Sequence, residues 1–343
     1  MTGGLLMMAS TATAQTTGKV RGVVTEADTG NPVVGATIVI SGPALQGTQA
    51  EITDGAGTYN IANIPPGVYL VTVYYAEAQF ERPNVVVRLG KTAQINIKVD
   101  TSAGKGETIQ LEGRAPLVDQ GSTKTGRTIT PDFTENVPTG RTFGAVLGTA
   151  AGSQSDLYGV SFGGSTSAEN IYIIEGLNTT DPAYGLQSTD LPGEFVQETE
   201  LITGGYNAEY GRSTGGIINV ITKSGSNEFH GSVFGYFTPG QLRADEVPTP
   251  REGEAIDTVT ELNYNWDIGA ELGGPIIKDK LWFHVGFNPS FQNTDLHRVV
   301  NTQVDADGDN VPDVDGNGFP VLNELARQTR QITRQTLYFT AKL

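Results

Sequence analysis

Five apolar side chains, Tyr264, Trp266, Ile268, Ala270 and Leu272, alternate without a break with Asn265, Asp267, Gly269 and Glu271. A period of two puts one set on one face of an extended strand and the other set on the opposite face, which no helix can do. The pattern returns in Leu281, Phe283, Val285 and Phe287, and again in Leu337, Phe339, Ala341 and Leu343 against Thr336, Tyr338, Thr340 and Lys342. Phe229 to Phe237 is a looser copy diluted by Gly231 and Gly235. Alternation alone suits either a half-buried soluble sheet or a barrel wall with one face in lipid and a wet interior. No run approaches the ~20 apolar residues of a membrane-crossing helix, so any passage through a bilayer must use a barrel.

The rest of the composition agrees with strands and turns: 44 Gly and 17 Pro in 343 residues, with 17% charged. The expected class is mainly β, in two or three domains. A formal net charge of -16 argues against nucleic acid, whose phosphates would be repelled. With no cysteine there is neither a disulfide framework nor a thiolate metal site. His230, His284 and His297 lack metal-ligand spacing, and Gly163-Gly164-Ser165 has neither the nucleophile-elbow spacing nor the lysine of a phosphate loop, so no enzyme chemistry is expected. At the N-terminus, Leu5 to Ala9 is a short apolar run and Ala12-Thr13-Ala14 has the small-x-small form cut before Gln15. Residues 1–17 therefore read as part of a signal peptide whose basic start lies upstream, the other reading being an ordinary tail.

From 18 to 100, short Val/Ile/Thr/Tyr runs are separated by Asp28-Thr29-Gly30-Asn31-Pro32, Asp54-Gly55-Ala56-Gly57 and Pro65-Pro66-Gly67, the spacing of a small β-sandwich. Val68, Leu70, Val73 and Tyr75, with Ile95, Ile97 and Val99, are the expected inward set. Gly22-Val23-Val24, Pro32 to Ala36, Thr53-Asp54, Gly57-Thr58-Tyr59 and Ile64 to Tyr69 resemble the carboxypeptidase regulatory-like domain. That resemblance implies a transthyretin-like β-sandwich of about seven strands. Related folds are grouped with carbohydrate-binding-like modules, yet Tyr69, Tyr74 and Tyr75 read as core and strand-face residues and not as a sugar platform.

From 101 to 225, a small polar linker, Thr101 to Gly106, precedes Glu107-Thr108-Ile109-Gln110-Leu111-Glu112. An ordered series follows: Asn136-Val137-Pro138 and Arg141-Thr142-Phe143, then Phe162-Gly163-Gly164, then Asn170 to Asn178 with Glu175-Gly176 at its turn. Glu200 to Lys223 closes it with Gly204, Gly205, Tyr210, Gly211, Gly215, Gly216 and Asn219. The series resembles the plug of TonB-dependent outer-membrane receptors, an α+β domain; Glu175 replaces the commoner Asp of that pattern and Ser161 stands where Arg is usual. Glu107, Thr108, Ile109, Gln110 and Leu111 resemble the TonB box, the extended segment such receptors offer to the energy-coupling protein TonB by strand addition. An ordinary first plug strand is the alternative.

From 226 to 343 the alternating runs then read as the first strands of an outer-membrane β-barrel, with Gly273 to Lys280 as a tight turn; Gly273-Gly274-Pro275-Ile276 and Leu281-Trp282-Phe283 resemble the large Oar-like receptors. Asp305, Asp307, Asp309 and Asp313 resemble Asp-rich calcium loops, although Asn310 replaces a turn glycine and Gly316 stands where a bidentate Glu is expected. Calcium or a solvated acidic loop are both open. The residues after Gly225 provide about four or five strands of membrane-spanning length, so the barrel is expected to be unfinished and the sequence to be a truncated gene model or an N-terminal fragment. The resemblance implies a receptor in the outer membrane that imports an unidentified ligand with TonB and membrane lipid as partners. The alternative is a secreted or surface protein that binds carbohydrate or adheres.

Overall fold

The computed structural model describes residues 16–75, 78–100, 123–211, 213–244 and 255–343, and the backbone of 108–110. The signal-peptide reading of 1–14, the linker 101–106, and Glu107 and Leu111 lie outside the described residues.

The first region is a sandwich of two sheets. β1 (Gly18–Glu26), β4 (Thr58–Ile64), β7 (Thr92–Gln94) and β8 (Ile97–Val99) form one, with β7 and β8 both parallel to β1. β2 (Thr37–Ser41), β3 (Thr48–Ile52), β5 (Gly67–Tyr75), β6 (Ala78–Val87) and β9 (Thr108–Gln110) form the other, in the order β3-β2-β5-β6-β9. Local chemistry sets the turns. The Asp54 carboxylate accepts the Ala56 and Thr58 amides at 2.9 and 2.8 Å, and Gly57 takes the left-handed φ of 71° that closes the loop between β3 and β4. Ile38, Ile40, Tyr59, Val71, Val73 and Phe80 fill the space between the sheets, each contributing about 1.5–3 kcal/mol of burial.

Ile95, Ile97 and Val99 face inward as expected, but β5 is turned by one residue relative to the sequence reading at its start. Tyr69, Val71 and Val73 are buried while Val68 is exposed, and Leu70 and Tyr75 are only partly buried. Tyr69 hides more apolar area than Val68, and its hydroxyl is satisfied by the Pro65 carbonyl at 2.6 Å, so the tyrosine takes the inside position without stranding a donor.

The middle region is built on a five-stranded sheet in the order β10-β15-β16-β13-β14. These strands are β10 (Thr125–Ile129), β13 (Ile171–Ile174), β14 (Leu177–Asn178), β15 (Val196–Gly204) and β16 (Ile217–Thr222). A two-stranded flap of β11 (Ser153–Ser155) and β12 (Val160–Phe162) and two short helices, α1 (Pro131–Asn136) and α2 (Phe143–Val146), accompany it. Pro131 opens α1, where its missing N–H costs nothing. All six residues of β16 are buried, as its unbroken Ile-Ile-Asn-Val-Ile-Thr run requires of a central strand flanked on both sides.

The last region is a four-stranded sheet, β17 (His230–Pro239), β18 (Ile256–Ile277), β19 (Leu281–Gln303) and β20 (Leu322–Lys342), in sequence order. The chain forms two compact units, one reaching to His230 and including Leu272–Val285 and Ala341–Leu343, the other Gly231–Glu271 with Gly286–Thr340. Gly273 and Gly274 were expected in the turn between β18 and β19 but belong to β18; the turn is confined to Lys278, Asp279 and Lys280, with Asp279 at φ 62°. Both glycines serve close packing instead, since a Cβ at Gly273 would stand 2.7 Å from His230 Nε2 and one at Gly274 2.3 Å from Phe229 Cδ1. No helix among the described residues is long and apolar enough to cross a membrane.

Candidate functional site

Of the glycine-rich and acidic positions singled out in the middle region, Gly163, Gly164, Glu175, Gly176, Gly215, Gly216 and Asn219 lie on or around β16, whereas Gly204, Gly205 and Gly211 lie at and beyond the end of β15. Glu175 and Gly176, at φ 52° and 79°, form the two-residue turn between β13 and β14. From that turn the Glu175 carboxylate accepts the Thr222 amide and hydroxyl, both at 2.7 Å, and the Lys342 ammonium at 2.9 Å. The longer side chain of Glu makes this reach to the end of β16 while its backbone fills the turn.

At the other end of β16, Asn170 accepts the Gly216 amide at 2.8 Å and donates to the Val160 carbonyl at 2.7 Å, tying the sheet to the flap. A Cβ on Gly215 would meet Asn170 Oδ1 at 2.6 Å and one on Gly216 would meet the Phe162 ring at 2.5 Å, so both glycines are required by close approach. Gly163 and Gly164, at φ 63° and 84°, turn the chain after β12, which places Phe162 over Gly216. Tyr210 is buried against Ile202 and Ile217, and its ring carries the Lys124 ammonium 5.4 Å from its centre; burial pushes its phenol further up. Gly205, at φ 64°, leaves β15 where a Cβ would strike the Thr123 carbonyl, Gly204 ends β15, and Gly211 stands in the turn after Tyr210. Asn219 lies fully buried in register with Glu200.

Two buried acids on β15 have no counterpart in the sequence reading. Glu198, 2% exposed, accepts the Leu89 amide of the sandwich at 3.0 Å. Its burial pushes the carboxyl up to about 7, with the Leu89 hydrogen bond, Arg88 and Lys91 acting to lower it and Glu200 to raise it. Glu200 is likewise buried, with Lys124 3.9 Å away, and its carboxyl is raised, burial again outweighing Lys124 and Lys91. A second missed element is Asp156, which accepts the Ser167, Tyr158 and Gly159 amides and the Ser167 hydroxyl; these bonds hold its carboxyl down at about 2. The Asp-Leu-Tyr-Gly turn was the available signal for Asp156. Nothing in an alternating Glu-Thr-Glu run separates a buried acid from an exposed one.

The remaining candidates stand apart from β16. Thr108–Gln110 pairs in parallel with β6 of the sandwich, Thr108 beside Gln79, Ile109 beside Phe80 and Gln110 beside Glu81. In the loop after β19, carboxylate oxygens of Asp305, Asp307 and Asp309 lie within 4.8 Å of one another and are exposed. Asp313 does not join them; its carboxylate accepts the Ala306 amide at 2.9 Å and closes the loop. Each of the three also accepts backbone amides, Asp305 from Gly308 and Asn310, Asp307 from Asp309, and Asp309 from Val311. Such a cluster of hard oxygens suits a divalent cation of calcium's size.

The β17–β20 sheet has polarity inverted relative to a water-soluble sheet. Asp267, Glu271, Asn288 and Asn293 are buried, while Ile268, Leu272, Phe287, Leu337 and Phe339 are exposed. The polar face is laced across strands: Ser232 to Glu271 at 3.0 Å, Asn288 to Asp267 at 3.3 Å, Asn263 to Asn293 at 2.9 Å and Asn293 to Thr333 at 2.9 Å. On the outer face Trp266 and Phe291 stack at 4.5 Å. Apolar out and polar in is the arrangement of a membrane barrel wall.

Comparison with known proteins agrees with this reading. Residues 19–100 match the carboxypeptidase regulatory-like domain family and residues 221–327 the outer membrane beta barrel domain family. Over 98% of its length the chain is 41% identical to the TonB-dependent transporter Oar of Myxococcus xanthus, of which it covers 33%. Shorter matches are 44% identity to the ferrienterobactin receptor of Escherichia coli, over 14% of this chain and 6% of that protein, and 29% identity to the probable TonB-dependent siderophore receptor PirA of Acinetobacter baumannii, over 28% and 10%. The chain thus spans about a third of the length of the transporter Oar. The outer membrane is its location. A regulatory-like sandwich, a barrel wall with inverted polarity and similarity to Oar along nearly the whole sequence make this chain a relative of the TonB-dependent outer-membrane receptors.

Proposed function

We propose that the chain is part of a TonB-coupled outer-membrane transporter, in which residues 101–225 act as the plug of a barrel that begins near residue 226. The observation that carries this reading is the similarity of 98% of this chain to about a third of a TonB-dependent transporter, supported by the inverted polarity of the β17–β20 sheet. Substrate would meet the plug and the loops of the barrel, and pulling on Glu107 to Glu112 would remodel the plug. The β15-β16 pair is what such a pull must either carry along or leave in place, since Glu175, Asn170 and the two glycines lock it to its neighbours. No step of this function is catalytic, and nucleic acid has no place in it. Calcium on Asp305, Asp307 and Asp309 belongs to the same proposal, as a stiffener of the loop between β19 and β20. The test is deletion of Glu107 to Glu112 in the full-length gene, followed by uptake and by binding of the purified TonB C-terminal domain. Loss of both is expected; uptake at the unmodified rate would remove the segment as the coupling site.

A further inference from the structure

The sandwich presents an edge strand, β6, whose pairing surface is cut short. Opposite β5 the register runs from Tyr69 beside Val85 to Val71 beside Arg82, so β6 carries a bulge there. Within it Pro83 has no N–H to give and Asn84 sits at φ 58°. The bulge interrupts the register of β6, which pairs with β5 again at Val85 to Val87; before it, Gln79, Phe80 and Glu81 form a short slot in regular register with β5. That slot is where Thr108–Gln110 lies, in parallel register. The occupying strand is the middle of the segment Glu107 to Glu112, separated from the last strand of the sandwich, β8, by residues 100–107.

We propose that the β6 edge is a dock for the chain's own coupling segment, and that an energy-coupling partner must take this strand from the sandwich before it can pull. The inference rests on the coupling role given above to Glu107 to Glu112. A partner that captures an extended peptide by adding it to its own sheet needs the length of the segment clear of other walls. The dock competes for the same backbone. A three-residue ladder is a shallow competitor, since each hydrogen bond has a small net worth in water. It can be displaced by a longer pairing, yet it lowers the fraction of segment that is ready to bind and so weakens the apparent affinity by that fraction. Oversight of this kind makes the regulatory-like domain a gate on coupling and not merely a spacer.

The sequence contains no cysteine, so two introduced ones report on this contact alone. Gln79 and Thr108 are register partners, at the spacing that a disulfide spans. In the full chain in detergent, Gln79→Cys with Thr108→Cys should form the disulfide on mild oxidation, and the oxidised protein should bind purified TonB C-terminal domain at least ~10-fold more weakly than the reduced one. Adding reductant should restore affinity. Backbone amides of 108–110 in the unsubstituted chain should exchange more slowly than an unstructured peptide, a readout that needs no substitution. Equal affinity of oxidised and reduced forms, failure of the disulfide to form, or unprotected amides would each overturn the dock. Deletion of Glu107 to Glu112 separates the two ideas: if binding survives it, the coupling role has failed, whereas if it abolishes binding and oxidation changes nothing, only the dock has failed.

Discussion

Replacing Glu198 with Gln tests whether the joint between the sandwich and β15 is held by a buried carboxylic acid. In the folded protein this carboxyl titrates at about 7, against 4.5 for the ordinary group, because burial disfavours its charged form. The folded state therefore holds a proton that the opened state has released at any pH between these values. Stability from this group is full below about pH 4.5 and is lost as pH rises through 7. The difference of about 2.5 units, at 1.36 kcal/mol each, is worth about 3 kcal/mol, and no solvent discount applies at 2% exposure. Glu200, also raised by burial, adds a slope of the same sign. In Glu198→Gln the amide oxygen can still accept the Leu89 N–H, so the geometry is kept while the titration is removed. Hydrogen exchange of peptides covering Leu89 and β15, corrected for intrinsic rates between pH 4.5 and 8, reads the opening free energy directly. The native protein should lose about 3 kcal/mol or somewhat more across that range, and the variant should retain only the residual slope of Glu200. Identical pH slopes in the two proteins would refute the argument, and so would a native protein that becomes harder to open as pH rises.

Two further outcomes follow from the geometry. Gly216→Ala places a methyl group 2.5 Å from the Phe162 ring and should destabilise the flap by about 1–3 kcal/mol, read as faster exchange of the Val160 and Phe162 amides; a neutral effect would mean the ring moves aside at no cost. Isothermal calorimetry of the intact protein with calcium should give a saturable heat that Asp307→Asn weakens at least ~10-fold, and the absence of heat in the native protein would end the calcium reading.

The elements whose burial repeats at a fixed period were legible in the sequence. Ile95, Ile97 and Val99 declared an inward face, and the series from Tyr264 to Leu272 declared a two-faced strand, because each rests on alternation over several residues; that the second was a barrel wall was legible only from its place after the plug-like series. Glu175-Gly176 was legible as a turn from its local chemistry, but the bonds from Glu175 to Thr222 and Lys342 were not, because those partners lie far along the chain. The phase of β5 was misread because Tyr69 has an apolar body and a polar end, and its inside position depends on an acceptor, Pro65, supplied by the turn before it. Gly273 and Gly274 looked like turn glycines because composition cannot tell a residue that bends the chain from one that makes room for His230 and Phe229. Glu198 and Glu200 were invisible for a similar reason: what buries them is a distant loop, not their neighbours.

Alternation in β18 to β20 also bears on how such a chain can travel. A wall exposing Ile268, Leu272, Phe287 and Phe339 has enough grease to live in lipid, yet every second residue dilutes it, and the whole chain averages a mean hydropathy of only -0.21. Machinery that diverts nascent chains sideways into a bilayer responds to a continuous apolar stretch of ~20 residues, which none of these strands supplies. Unpaired, each strand passes for an ordinary secreted segment; its affinity for lipid comes into being only when neighbouring strands align and gather the scattered residues onto one face. The destination is thus encoded in folding itself and stays hidden during transit.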